Sequence, residues 1–114
     1  MKNISHADTC SAANVLTEAK LSVIFRGTHT GSFRVELNGT PVQPNPDGTV
    51  TLGNATALNG KAALVIAVVH QVGPTKFFEL DYIVQGTLCG PFIVQDEFDD
   101  GDPNAIVRET IRFN

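Results

Sequence analysis

With 114 residues, 42% of them hydrophobic and 18% charged, the chain has the bulk of a single globular domain, large enough to bury a core without a metal or several disulfides. A formal net charge of −4, with its 8 basic residues scattered, argues against nucleic acid, which demands clustered Lys and Arg. No apolar run approaches the roughly 20 residues of a membrane-spanning helix, so membrane insertion is not expected.

Residues 1–19 are small and polar and are expected as an N-terminal arm ahead of a sandwich domain at 20–114. Ser11 could cap a short helix carrying Ala12, Val15, Leu16 and Ala19, and an edge strand is an equal alternative. Met1-Lys2-Asn3 is followed by no apolar leader segment, which leaves a cytoplasmic chain or a mature exported one, an extracellular or surface setting being slightly favoured. Leu21 to Arg26 reads as a strand, and Gly27-Thr28-His29-Thr30-Gly31 as a loop. Phe33, Val35 and Leu37 then alternate with Arg34 and Glu36, the pattern of a half-buried strand. Asn38-Gly39 favours a type I′ hairpin. Pro41, Pro44 and Pro46 mark loop or edge, and Thr49 to Leu52 is a short strand expected to return against Ser32–Leu37.

Ala62 to Val69, AALVIAVV, is the run around which the rest is organised. It is short, rich in β-branched residues and bracketed by Asn59-Gly60 and Gly73-Pro74, which predicts an interior strand buried on both faces. Lys76 to Val84 alternates again, Phe92-Ile93-Val94 forms a short strand, and Ala105 to Phe113 closes the chain as the last one. Phe33, Val35, Leu37, Leu64, Ile66, Val68, Leu80, Tyr82, Ile111 and Phe113 are expected to face inward. Glu109 falls on the apolar face of the last strand, where a bulge or the rim of the sheet would accommodate it, a buried functional carboxylate being the less favoured account. Together these elements predict an all-β fold, a single-domain antiparallel β-sandwich of about seven to nine strands with room for one short N-terminal helix.

Cys10 and Cys89 have no metal-type spacing. They either pair, closing most of the chain at a gain of roughly 4–5 kcal/mol, or remain two free buried thiols. Catalytic motifs are lacking: there is no GxSxG, HExxH, Walker A or strand-linked GxGxxG, so no catalytic residue is assigned and an enzyme is the least favoured class. Of the histidines, only His29, beside Thr28 in the GTHTG loop, stands where binding loops normally lie, and the two are the candidate ligand-binding pair.

The acidic stretch before the last strand offers a denser chemical signal. Asp96, Glu97, Asp99, Asp100 and Asp102, with the amide of Asn104, supply six oxygens within nine positions, the donor type Ca2+ takes. The spacing is not that of an EF-hand, since Phe98 and Val107 occupy ligand positions, and Arg108 and Arg112 could pair with the carboxylates instead. The order of a strand, Asp100-x-Asp102-x-Asn104, a final apolar strand and the chain end resembles the calcium loop of small bacterial calcium-dependent lectins that bind fucose and mannose.

That resemblance implies Asp96, Asp100, Asp102 and Asn104 as calcium ligands and a C-terminal contribution from Asn114; from the loop itself, Glu97 is an alternative to Asp96 for closing the metal site. It also implies a glycan as the partner and a homo-oligomer as the working form. The chain departs from the family at Ala105, where an aspartate is expected, and at Asn114, where a glycine is expected, which implies fewer bound ions. The function expected is therefore a non-catalytic recognition module, lectin-like and calcium-dependent, facing a glycan or protein surface. The alternative is a structural subunit that assembles through strand edges and the N-terminal arm.

Overall fold

The computed structural model describes residues 1–114 and is a sandwich of two packed sheets. The strands are β1 (Lys2–Cys10), β2 (Val15–Phe25), β3 (Thr30–Leu37), β4 (Thr40–Val42), β5 (Val50–Gly53), β6 (Ala62–His70), β7 (Phe77–Thr87), β8 (Phe92–Glu97) and β9 (Asn104–Phe113). One helical turn, α1 (Ala55–Leu58), lies between β5 and β6, capped by the Asn54 side chain accepting from the Ala57 amide at 2.9 Å. The five-stranded sheet runs β1-β9-β6-β3-β4 and the four-stranded sheet β5-β2-β7-β8.

Every pairing is antiparallel except the first. β1 lies parallel to β9 over nine residue pairs, Lys2 opposite Ala105 through Cys10 opposite Phe113. The segment expected as an arm is thus an edge strand followed by a single 3-10 turn at Ala12–Asn14 and the start of β2, and the edge-strand alternative is the one realised. Its alternation explains this. Ile4, His6, Asp8 and Cys10 share one face, so β1 can cover the neighbouring row of β9 while Ser5, Ala7 and Thr9 face water.

β6 sits centrally between β9 and β3, as its apolar run implies, but it is not buried on both faces. Ala63, Val65, Ala67 and Val69 face the core and are fully buried, whereas Leu64, Ile66 and Val68 lie half-buried on the outer face. The inward row expected on β6 is therefore the wrong parity. An unbroken apolar run carries no alternation, so its facing is set by the opposing sheet. That sheet contributes Phe78, Leu80 and Tyr82 to the core, bulky groups for which the two alanines leave room. Val35, Leu80, Tyr82, Ile111 and Phe113 are buried as expected, while Phe33 and Leu37 only pack against the core margin.

Asn38 (φ 47°) and Gly39 (φ 82°) both adopt positive φ, the type I′ requirement, and join β3 to β4. β5 does not return to β3 as expected; it crosses to the second sheet and pairs with β2. Cys10 and Cys89 form a disulfide with Cα atoms 5.6 Å apart, fastening the end of β1 to the turn between β7 and β8.

Two outcomes follow for stability. Leu80→Ala should cost about 2–5 kcal/mol, as truncation of a buried leucine does, and Leu64→Ala less than half as much, measured by urea denaturation. Cys10→Ser should cost about 4 kcal/mol for the 79-residue separation it unties, and the wild-type chain should show no free thiol after denaturation under oxidising conditions.

Candidate functional site

The loops β2–β3, β6–β7 and β8–β9 gather at one end of the sandwich, and His29 pins them together. Its Nδ1 accepts from the Val72 amide at 3.0 Å, its Nε2–H donates to the Phe77 carbonyl at 2.9 Å, and its ring stands edge-on to Phe98 at 5.1 Å. Both ring nitrogens are thus committed to backbone, so the buried imidazole shapes the loop end rather than offering a free ligand atom. Thr28 Oγ1 donates to the Val72 carbonyl at 3.2 Å, closing the same junction.

Beside this junction lies a half-open concavity of about 260 Å3. Its lining includes Arg26, Thr28, His29, Thr75, Phe77 and Glu79. The Phe77 ring is 48% exposed, an unusual position for a phenylalanine at the start of a strand. Arg26 Nε donates to Asp81 Oδ2 at 2.6 Å, and Gln95 Nε2 donates to Glu79 Oε1 at 2.7 Å, so both charged groups are held in place before any ligand arrives.

The acidic stretch lies at the same end, but its carboxylates turn to protein cations rather than to one another. Lys2 Nζ is 2.9 Å from Asp96 and 3.6 Å from Asp99, Lys76 pairs with Asp100, and the α-amino group of Met1 is 2.5 Å from Asp102. The Lys2 ammonium holds the Asp96 carboxyl below its ordinary value, and the α-amino group does the same for Asp102. Arg108 and Arg112, the expected partners, do not serve: Arg108 instead donates to the Asn3 side chain at 3.1 Å. Glu97 is exposed, and the Asn104 amide oxygen meets the His70 ring. Asn114 is at the far end, its amide donating to the Cys10 carbonyl at 3.2 Å, with the ten residues of β9, about 30 Å, between it and Asn104. Within one chain, therefore, Asn114 and the acidic loop do not meet.

The one place where three His or carboxylate ligand atoms converge is elsewhere, midway along the β1–β9 pair. His6, Asp8 and Glu109 bring ligand atoms within 4.8 Å of one another. The period of two on β1 turns His6 and Asp8 to the same side, and the parallel register sets Glu109 directly opposite His6. His6 Nδ1–H donates to Glu109 Oε2 at 2.6 Å, and Asp8 Oδ2 lies 3.1 Å from the same nitrogen. Glu109 is fully buried in the row Val107–Ile111, neither at a bulge nor at the rim, and its Oε1 has no partner. The Tyr82 hydroxyl on the opposing sheet is also buried and unpartnered, and its ionisation is suppressed by burial and by the Glu109 charge.

Burial pushes the Glu109 carboxyl up to about 7; His6 pulls it down, and Asp8 adds to the rise. The Glu109 hydrogen bond in turn raises His6 above its ordinary 6.5. The polarity break at Glu109 was visible in sequence, but its partners lie 103 and 101 positions away in a segment that reads as an arm. Only the parallel pairing joins them.

The chain matches no protein-family model, and no curated protein or solved structure is found similar to it.

A pH dependence follows from the cluster. Between 4.5 and about 7 the folded chain keeps a proton on Glu109 that the unfolded chain has released, so this group's contribution to stability falls as pH rises through that window. His6, raised above 6.5, acts in the same direction at higher pH. Asp8 on β1 and Tyr82 on β7 are the other ionisable groups facing Glu109, and β6 presents only Val65. Asp96 and Asp102, held low, act oppositely, their contribution being lost as pH falls through and below 3.8. Urea denaturation from pH 4.5 to 8 should show a decline that Glu109→Gln flattens below pH 7; an unchanged slope would refute the assignment.

Proposed function

We propose that this chain is a non-catalytic recognition module that takes a small saccharide in the loop-end concavity beside Phe77. The observation that carries the reading is the exposed Phe77 lining one concavity with two charged groups already fixed by other partners, Arg26 by Asp81 and Glu79 by Gln95. A sugar ring presents an apolar C–H face that packs on an aromatic ring and a rim of hydroxyls that pair with carboxylate and guanidinium. A volume of 260 Å3 is small among ligand pockets and suits one or two sugar units. Thr28 and Thr75 add hydroxyls at the margin, and His29 keeps the loops in register without touching the ligand through a free nitrogen.

In this reading calcium is not needed. The acidic-loop carboxylates are paired with Lys2, Lys76 and the α-amino group, and their part is to fix the loop next to the concavity. The Cys10–Cys89 disulfide supports an oxidising setting, extracellular or at a surface.

A glycan array run on the full chain, with and without chelator, tests the proposal. Saturable binding to a restricted saccharide set should persist in chelator, fall about ten-fold or more in Phe77→Ala and Glu79→Gln, and be unchanged in Asp100→Asn. Binding abolished by chelator and by Asp100→Asn would return the site to a calcium-dependent acidic loop. No saccharide binding, together with concentration-dependent self-association, would favour the assembly-subunit alternative.

A further inference from the structure

The fold contains a second arrangement that saccharide recognition does not use. Glu109 is a carboxylate with no exposed surface, set between Val107 and Ile111 on the core face of β9. Burying such a group is costly unless its charge and both its oxygens are matched. His6 matches one oxygen, at 2.6 Å, and the other, Oε1, has nothing. Asp8 adds further negative charge beside Glu109 while sharing the same imidazole. It brings a second carboxylate to the same point, its Oδ2 3.1 Å from His6 Nδ1, itself buried and without a hydrogen bond. A structural pair needs one carboxylate on the imidazole, and here there are two.

Two carboxylates and one imidazole do satisfy a divalent cation. The carboxylates supply two negative charges, the neutral imidazole a nitrogen, and the three donor atoms already stand within 4.8 Å of one another. We infer that His6, Asp8 and Glu109 form a binding site for a first-row divalent transition metal, with Zn2+ as its ion. The mixed nitrogen–oxygen donor set favours Zn2+ over Mg2+ or Ca2+, which take all-oxygen shells of six or more. The absence of a sulfur donor disfavours softer ions.

The geometry leaves one position open. Donors about 2.0 Å from a tetrahedral Zn2+ lie about 3.3 Å from each other. Asp8 Oδ2 and His6 Nδ1 are already near that spacing, and the His6–Glu109 pair would open by about 0.7 Å from 2.6 Å. His6 can make that adjustment, because it sits on an edge strand with its side chain 42% exposed. The same exposure leaves the fourth position facing water. The ion would meet Glu109 through Oε2 and neutralise the buried charge. An ion here would fasten β1 to β9 at mid-strand, a second tie beside the disulfide at the strand's end.

The test is calorimetric titration of the chelator-treated full chain with ZnCl2, with thermal melts on the same samples and Co2+ absorption as a report of coordination. One equivalent of Zn2+ should bind, the melting temperature should rise, and Co2+ should give a four-coordinate nitrogen–oxygen spectrum. Asp8→Asn, on the half-exposed edge strand, should leave the far-ultraviolet spectrum intact and weaken binding about ten-fold or more, and His6→Ala should do the same. His70→Ala, at the loop end, should change nothing. Absence of binding at millimolar Zn2+ would overturn the site, as would binding that survives both β1 variants or is lost in His70→Ala. A saccharide array on Asp8→Asn separates the two proposals, since sugar binding at Phe77 should be unaffected.

Discussion

The open side of the sandwich is closed by β1, and β1 is held there by what β9 would otherwise expose. β9 presents Ala105, Val107, Glu109, Ile111 and Phe113 to the core, and without a neighbour on that side the row would end against solvent. Parallel pairing supplies the cover because Ile4, His6, Asp8 and Cys10 face the same way as the row they adjoin. A parallel ladder is slightly weaker per residue than an antiparallel one, and an edge strand has a partner on one side only. β1 compensates with side-chain ties along its length: Lys2 to Asp96 at one end, His6 to Glu109 in the middle, and Cys10 to Cys89 at the other. Glu109 makes the arrangement compulsory, since with β1 displaced it would stand as a carboxylate in an apolar row with no partner at all.

The same logic shapes the loop end. Three loops converge there with little regular backbone pairing between them, and the buried groups that hold them are a histidine and a phenylalanine. His29 spends both nitrogens on backbone, Phe98 packs against it and against Phe78, and the acidic loop is drawn down by Lys2 and Lys76. The result is a rigid collar in which Phe77, one residue from the buried Phe78, is turned outward. Strand alternation alone forces that exposure, because Phe78 is required in the core.

Much of the fold was legible in the sequence, and the places where it was not have one physical cause. Alternation fixed the facing of β3 and β7, the positive-φ pair Asn38-Gly39 announced its hairpin, and the apolar run marked β6 as central. Where alternation is missing, facing is undetermined, so the inward row of β6 reads as Leu64, Ile66 and Val68 although Ala63, Val65, Ala67 and Val69 occupy it. Partner choice is likewise non-local: β5 pairs with β2 and not with β3, and nothing within Thr49–Leu52 specifies which. β1 reads as an arm because its residues are small and polar, and the inward placement of His6 and Asp8 makes sense only once Glu109 is known to lie beside them.

Carboxylates in this chain show why density in sequence is a poor guide to a site. Five of them crowd between Asp96 and Asp102, yet on a loop each side chain is free to turn to the nearest cation, and four do so. Their charges are thereby paired, and the acidities of Asp96 and Asp102 are strengthened. Asp8 and Glu109 are few and far apart in sequence, but regular strands fix their directions. Two residues on one strand and one register partner on the next must converge, and no Lys or Arg joins the cluster to relieve them. What makes a constellation reactive toward a ligand is an unmet electrostatic demand in a fixed geometry. Backbone pairing fixes the geometry of His6, Asp8 and Glu109, whereas the side chains of the acidic loop take their positions from the cations that reach them.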